Sequence, residues 1–345
     1  MTESQPFFIR PINANDIQKV QLLARKSFRW IEGAFFSLSP FTFVAEKDGE
    51  ILGGIVLNFY SLPDGQQGGF VSWIFTSPSA RGLGVAGSLM DMAMEYFKSH
   101  GCQEIWASVE GYNASSMKLF ANRGFTILSP GEQIRRYGIH LPIVWLRSFH
   151  FFDIGHYLWV NPGAAKPDNP LLQWLAVWLI NSLFILLAIW RNNGFATLNP
   201  LALLAVPAII LALFGGRWAA MKLAARASGL DTRYRVWESG LSVTLVIALV
   251  FGSAFPTPGS LYPRSHDWNY RESLPKLARM ALAGMVFGLM FCWTLILLLR
   301  FAPLPQEWVV WFNLGLYVGI PLAIFDNVLA IVFPFVSFNG RRVWD

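Results

Sequence analysis

The stretch of this chain best arranged for chemistry is Arg81-Gly82-Leu83-Gly84-Val85-Ala86-Gly87, set between an apolar strand, Phe70 to Thr76, and an amphipathic helix that starts at Val85. A strand that runs through a glycine turn into a helix leaves several backbone N–H groups without intrahelical acceptors. They point outward at the positive end of the helix dipole, a setting that suits a phosphate. Gly82 and Gly84 admit unusual backbone angles and let a ligand come close to the main chain. The expected ligand is a pyrophosphate.

The elements around this loop have to hold it in place. Phe7-Phe8-Ile9-Arg10-Pro11 reads as a short strand, followed by a helix to about Phe28 that Asn15 or Asp16 could cap. Thr42 to Glu46 and Ile51 to Tyr60 read as strands joined by a tight turn at Asp48-Gly49. The helix after the glycine loop carries Leu89, Met90, Ala93, Met94 and Phe97 on one face and stops at Gly101. Glu104 to Val109 is a further strand, Ala114 to Asn122 a short helix, and Ile134 to His140 or Ile143 to Leu146 would close the sheet. A strand, a helix and then three more strands before the loop is not the early strand–helix order of a dinucleotide-binding domain.

The second half differs in character. Of 345 residues 54% are hydrophobic and only 14% charged, and the mean hydropathy of +0.42 is too high for one water-soluble globule. Residues 1–147 form one expected domain, 148–170 an interfacial segment and linker, and 171–345 a transmembrane domain of five or six helices. The apolar runs are Leu171 to Trp190, Leu201 to Ala225, Leu241 to Phe255, Leu277 to Leu299 and Trp308 to Phe335, against about 20 residues needed to span. The aromatic-rich run His150 to Val160 reads as interfacial. A net charge of +6 could suggest nucleic acid, but the basic residues between Arg217 and Arg235 and at Arg341-Arg342 flank apolar spans, where they mark the cytoplasmic side. No nucleic-acid partner is expected. The N-terminus has no basic and apolar leader, and the two cysteines, Cys102 and Cys292, are not expected to pair. The expectation is an integral protein of the inner membrane with its first domain in the cytoplasm.

Two motifs carry a family resemblance. Arg81-Gly82-Leu83-Gly84-Val85-Ala86, with Pro78 before it, and Asn113 followed by Phe120-Ala121-Asn122-Arg123-Gly124-Phe125 resemble the two signatures of GNAT-superfamily N-acetyltransferases. The resemblance covers residues 7 to about 128. It implies an α+β GNAT fold, a mixed central sheet flanked by helices, followed here by the all-α multi-span domain. It also implies acetyl-CoA as acyl donor, with the backbone of Ile74 and Thr76 along the pantetheine arm and the amides of Gly82, Leu83, Gly84, Val85, Ala86 and Gly87 on the pyrophosphate. Arg81, Asn113 and Phe120 complete the expected cofactor-binding set. Where many members carry a tyrosine that protonates the leaving thiolate, this chain has Phe120; Tyr112 could stand in as the acid. No carboxylate lies between Phe70 and Thr76, so Glu110 is the candidate base, against a solvated strand-end carboxylate.

The membrane half resembles site-2-protease-like intramembrane metallopeptidases at Arg217 to Arg226, at Pro258-Gly259-Ser260-Leu261-Tyr262 and at Pro334 to Val343. At the positions that hold that family's metal ligands stand Arg217, Met221 and Asn339, and at its catalytic glutamate stands Trp218. Arginine does not deprotonate to bind zinc and methionine is a poor ligand for it, so an inactive scaffold without metal is expected. The function expected is a membrane-tethered N-acetyltransferase acting on an amine of a small molecule or protein. The alternative is a non-catalytic acetyl-CoA sensor whose pseudoprotease domain binds or regulates a membrane client.

Overall fold

A computed structural model describes residues 7–28, 30–62, 65–151, 153–163, 169–194, 200–265, 267–329 and 339–344. They divide into two compact units: residues 1–109, 115–150 and 157–166, and residues 110–114, 151–156 and 167–345.

The first unit is built on β1 (Phe8–Pro11), β2 (Phe41–Lys47), β3 (Glu50–Ser61), β4 (Gln67–Thr76), β5 (Glu104–Glu110), β6 (Thr126–Ile127) and β7 (His156–Asn161), in the sheet order β1-β2-β3-β4-β5-β7-β6. The β2–β3 turn at Asp48-Gly49 has positive φ at both residues (51° and 80°), as a tight hairpin requires. Helices α1 (Ile17–Ser27), α2 (Trp30–Phe35), α3 (Val85–Ser99) and α4 (Ala114–Ala121) flank the sheet. Val20 and Ala24 of α1 pack with Val44 and Phe75. Leu89, Met90, Ala93 and Phe97 bury the inner face of α3, and a side chain at Gly69 would collide with the Phe97 ring. The first helix is capped by neither Asn15 nor Asp16. The Asn13 side chain accepts from the Asn15 N–H, while Asp16 closes the capping box and pairs with Arg10.

Two expectations fail here. Residues 134–147 are not strands but helices α5 (Pro130–Tyr137) and α6 (Leu141–Arg147). Ser129 caps α5 with Pro130 in its first turn, and the buried Gln133 and Tyr137 recur at helical spacing. The closing strand is β7 instead. The run expected to be interfacial, His150 to Val160, places Tyr157, Leu158, Trp159 and Val160 in the core at 1% exposure or less. A strand covered on both faces is continuously apolar and aromatic, which imitates an interfacial segment.

The second unit is helical: α7 (Pro170–Asn193), α8 (Pro200–Ala227), α9 (Glu238–Phe251), α10 (Tyr270–Phe301), α11 (Gln306–Ile324) and α12 (Asn339–Trp344), with the short hairpin β8 (Thr232–Arg235) and β9 (Ser260–Pro263). Four helices are long and apolar enough to cross a membrane, namely Pro170–Asn193, Pro200–Ala227, Tyr270–Phe301 and Gln306–Val328. The expected third span is a helix of 14 residues, about 21 Å long and short of the hydrocarbon thickness. A sixth span would need residues 330–338, which lie outside those described, as do Pro334 to Phe338 of the protease-like segment.

Candidate functional site

The glycine loop takes the shape its sequence predicts. Gly82 and Gly84 adopt φ of 84° and 77°, and open space surrounds the position of a side chain at either. The first intrahelical bond of α3 runs from the Ser88 N–H to the Gly84 carbonyl (3.0 Å). Among the described residues no acceptor meets the N–H groups of Gly82, Gly84, Val85, Ala86 or Gly87. Leu83 is the exception, donating to the Ala80 carbonyl at 3.3 Å. Residues 81–84 are exposed. Arg123 fixes the start of α3, donating to the Gly87 carbonyl (2.9 Å) and to Asp91 (2.7 Å). The sequence does not announce that brace.

Strand β4 leads into the loop and is half released from its neighbour. It pairs in parallel with β5 from Gly68↔Glu104 to Val71↔Ala107, and there the ladder stops. A bulge at Ser72 accompanies the break, where the register with β3 shifts between Val56 and Leu57. Beyond it, Ile74 lies opposite Ile55 and Thr76 opposite Gly53, while the Ser77 N–H donates to the Leu52 carbonyl at 2.7 Å. Bonded and non-bonded pairs alternate along an antiparallel ladder, so Ile74 and Thr76 turn their backbone groups away from β3, toward the side β5 has left. The Thr76 carbonyl is met there by the Ser27 hydroxyl at 3.2 Å. A parted strand edge that ends on a row of open amides can hold an extended, amide-bearing arm and then an anionic group.

The remaining candidates sit elsewhere. Phe120 is 2% exposed and packs edge-on against Phe125 (5.1 Å between centroids) and beside Trp159. Glu110, Tyr112 and Asn113 belong to the second unit. There the Glu110 carboxylate pairs with the guanidinium of Arg342, with Arg341 at 3.7 Å. Tyr112 is buried beneath the Arg342 guanidinium, 4.1 Å from its ring centroid, and donates its hydroxyl to the Leu261 carbonyl at 2.7 Å. Burial pushes this phenol up to about 12, so it is neutral at ordinary pH. Asn113 is exposed, and its N–H donates to the Glu110 carbonyl.

Within the second unit the protease-like positions converge. Arg217 (2% exposed) bonds Asp326 (2% exposed) through Nε at 3.0 Å and a terminal nitrogen at 3.3 Å, and reaches the Gly259 carbonyl at 3.3 Å. The Asn339 N–H also meets Asp326 (3.3 Å), and the Asn339 amide lies 3.7 Å from the Met221 sulfur. Trp218 does not join them and is 40% exposed. The irregular segment Phe255 to Tyr262 is buried, and its main chain is satisfied by Asn181, Thr244, Arg217 and Tyr234. That is the condition under which non-helical backbone persists among membrane helices.

These features define a mixed α/β domain with a parted sheet and a glycine loop opening a helix, in a chain that also carries a helical unit of membrane-spanning proportions. Residues 13–125 match the model of the Acetyltransferase (GNAT) family, and the chain carries a GNAT acetyltransferase domain. Among solved structures, the NatC complex bound to Gag peptide and CoA is 16% identical, with 46% of this chain and 99% of that one covered and a TM-score of 0.35. The N-acetylglutamate synthase of Neisseria gonorrhoeae, complexed with coenzyme A and N-acetyl-glutamate, is 17% identical over 46% of this chain and 35% of that one, with a TM-score of 0.35. Among curated proteins, one of Methanocaldococcus jannaschii named "Putative zinc metalloprotease" is 27% identical over 120 residues. The match takes in 34% of this chain and spans 58% of that protein's length.

Proposed function

We propose that the chain is a membrane-tethered N-acetyltransferase that moves an acetyl group from acetyl-CoA to an amine of a small molecule or protein. The observation that carries the reading is the set of N–H groups of Gly82, Gly84, Val85, Ala86 and Gly87 that meet no acceptor among the described residues, at the end of a strand that parts from β5 beyond Val71. In this reading those amides hold the pyrophosphate, with Arg81 alongside, and the Ile74 and Thr76 backbone aligns the pantetheine arm. Asn113 and Phe120 are proposed to complete the cofactor-binding set. The amine attacks the thioester carbonyl, the C–N bond forms, the C–S bond breaks, and coenzyme A leaves as the thiolate. A β4 N–H stabilises the charge that develops on the carbonyl oxygen. Glu110 and Tyr112 are the candidates for moving protons.

The distribution of charge supports a cytoplasmic first domain. Crossing in order, the ends of the four candidate spans on the same side as Pro170 carry Lys222, Arg226, Arg271, Lys276 and Arg279, with Arg264 in the connector between the second and third, whereas the opposite ends carry Arg191 and Arg300. Basic residues stay on the cytoplasmic side. The lipid bilayer is thus a permanent partner, and acetyl-CoA is met in the cytoplasm.

One observation favours the second reading, an acetyl-CoA sensor with an inactive protease scaffold that regulates a membrane client. The Glu110 carboxylate is engaged by Arg342 and the Tyr112 hydroxyl by a carbonyl, so both proton-moving candidates have protein partners. Incubating the detergent-purified protein with acetyl-CoA and a panel of amines, and following free thiol, separates the two. Amine-dependent thiol release supports transfer. Saturable acetyl-CoA binding without turnover of any amine overturns it in favour of the sensor.

A further inference from the structure

The helical hairpin α5–α6 has two unlike faces. Its inner residues Tyr137 and Val144 join a core with Trp106, Leu128 and Leu158. Its outer side presents Ile134 (60% exposed), Ile139 (89%), Ile143 (48%), Leu146 (64%) and, just beyond, Phe149 (68%). Phe149 holds a left-handed φ of 55°, an uncommon angle for a bulky residue. Five large apolar side chains this exposed, within so short a stretch of an α/β domain, form a patch of the kind that contacts something.

The charges around the patch name the partner. Arg135 has a side chain 62% exposed, His140 is exposed, and Arg147 flanks the end of α6 with one N–H on the Ser61 carbonyl. The one carboxylate between Ser129 and Phe151 is Glu132, which is buried and already paired with Arg135. An apolar face bordered by cations, with no exposed carboxylate on the hairpin itself, complements an anionic lipid surface. Against a second copy of itself it would set like charges together. The same chain carries four helices of membrane-spanning length beginning at Pro170, so lipid lies within reach.

We propose that α5–α6 lies in the plane of an anionic bilayer surface, with Ile134, Ile139, Ile143, Leu146 and Phe149 in the headgroup–acyl boundary and Arg135, His140 and Arg147 among the phosphates. The proposal is independent of the acetyltransferase reading. The test uses the full chain with Cys102 and Cys292 replaced by Ser and Ala, in nanodiscs containing acyl-chain nitroxide lipids. A bimane label is placed at Ile139→Cys, at Leu146→Cys or at Lys98→Cys, an exposed site near the end of α3. In phosphatidylglycerol-containing discs the labels at 139 and 146 should be quenched about threefold more than the label at 98, and less so in phosphatidylcholine alone. Equal quenching at all three sites overturns the proposal. So does a blue-shifted label at 139 that lipid nitroxides do not quench, which would place the face against protein. Strong quenching at 139 and 146 that ignores lipid charge would refute the cationic part of the contact.

Discussion

The glycine loop and the Arg217–Asp326 cluster are both places where a fold could hold a ligand, and they have been left in opposite states. In the loop the binding groups are main-chain N–H donors, and five have no protein acceptor among the described residues. In the cluster the groups are side chains, and each is spent on another: Arg217 on Asp326 and Gly259, Asn339 on Asp326 and Met221. Open, exposed donors can wait for an anion because water satisfies them meanwhile. A buried charge has no such option and must be paired within the protein. The loop is therefore read as a site, and the cluster as the filled place of one.

The largest expected effect comes from closing the open region. Gly84→Glu sets a carboxylate where a diphosphate should sit, on a residue with φ of 77°, and acetyl-CoA binding should weaken about a hundredfold or more by calorimetry. Opening the closed region comes next. Arg217→Ala leaves Asp326 buried and unpaired, and should destabilise the second unit by about 3–5 kcal/mol in detergent unfolding. The double variant Arg217→Met/Asp326→Leu should recover much of that loss, since neutral packing often replaces a buried pair. If the single variant is as stable as the parent, the cluster is not a closed, paired site. Gly216→Leu should disturb α8 against α10, because a side chain there would collide with the Phe287 ring; the readout is again stability in detergent unfolding.

Tyr112→Phe is a milder change. It removes the hydroxyl's bond to Leu261 and should destabilise by about 1 kcal/mol. If Tyr112 is also the acid, kcat falls tenfold or more, whereas a purely structural tyrosine leaves kcat unchanged. The smallest effect is on pH. Because burial raises this phenol from 10 to about 12, the folded state favours its neutral form. That contribution is complete below pH 10 and is lost as pH climbs toward 12, and Tyr112→Phe should flatten the decline.

Much of this was legible from residue types. The hairpin at Asp48-Gly49, the strand into Arg81–Gly87 and the helix from Val85 follow from local turn chemistry and periodicity, which do not depend on distant parts of the chain. Arg217, Met221 and Asn339 stand at the protease-like positions in the sequence, and the fold brings them together around Asp326. What stayed hidden was non-local. Nothing local to Asp326 announces its partner, which is 109 positions away. Helices α5 and α6 are short, and their outward isoleucines imitate strands. The burial of Tyr157–Val160 depends on neighbours that no local pattern specifies. The Arg123 brace and the partners of Glu110 are likewise properties of the folded chain.

The most direct measurement is titration of the full-length detergent-purified protein with acetyl-CoA, beside its Gly84→Glu variant. The parent should bind saturably in the micromolar range, and the variant should show no detectable binding at the same concentrations. Equal binding by both proteins, or no binding by the parent, would contradict the claim that the main chain after β4 is the coenzyme's grip.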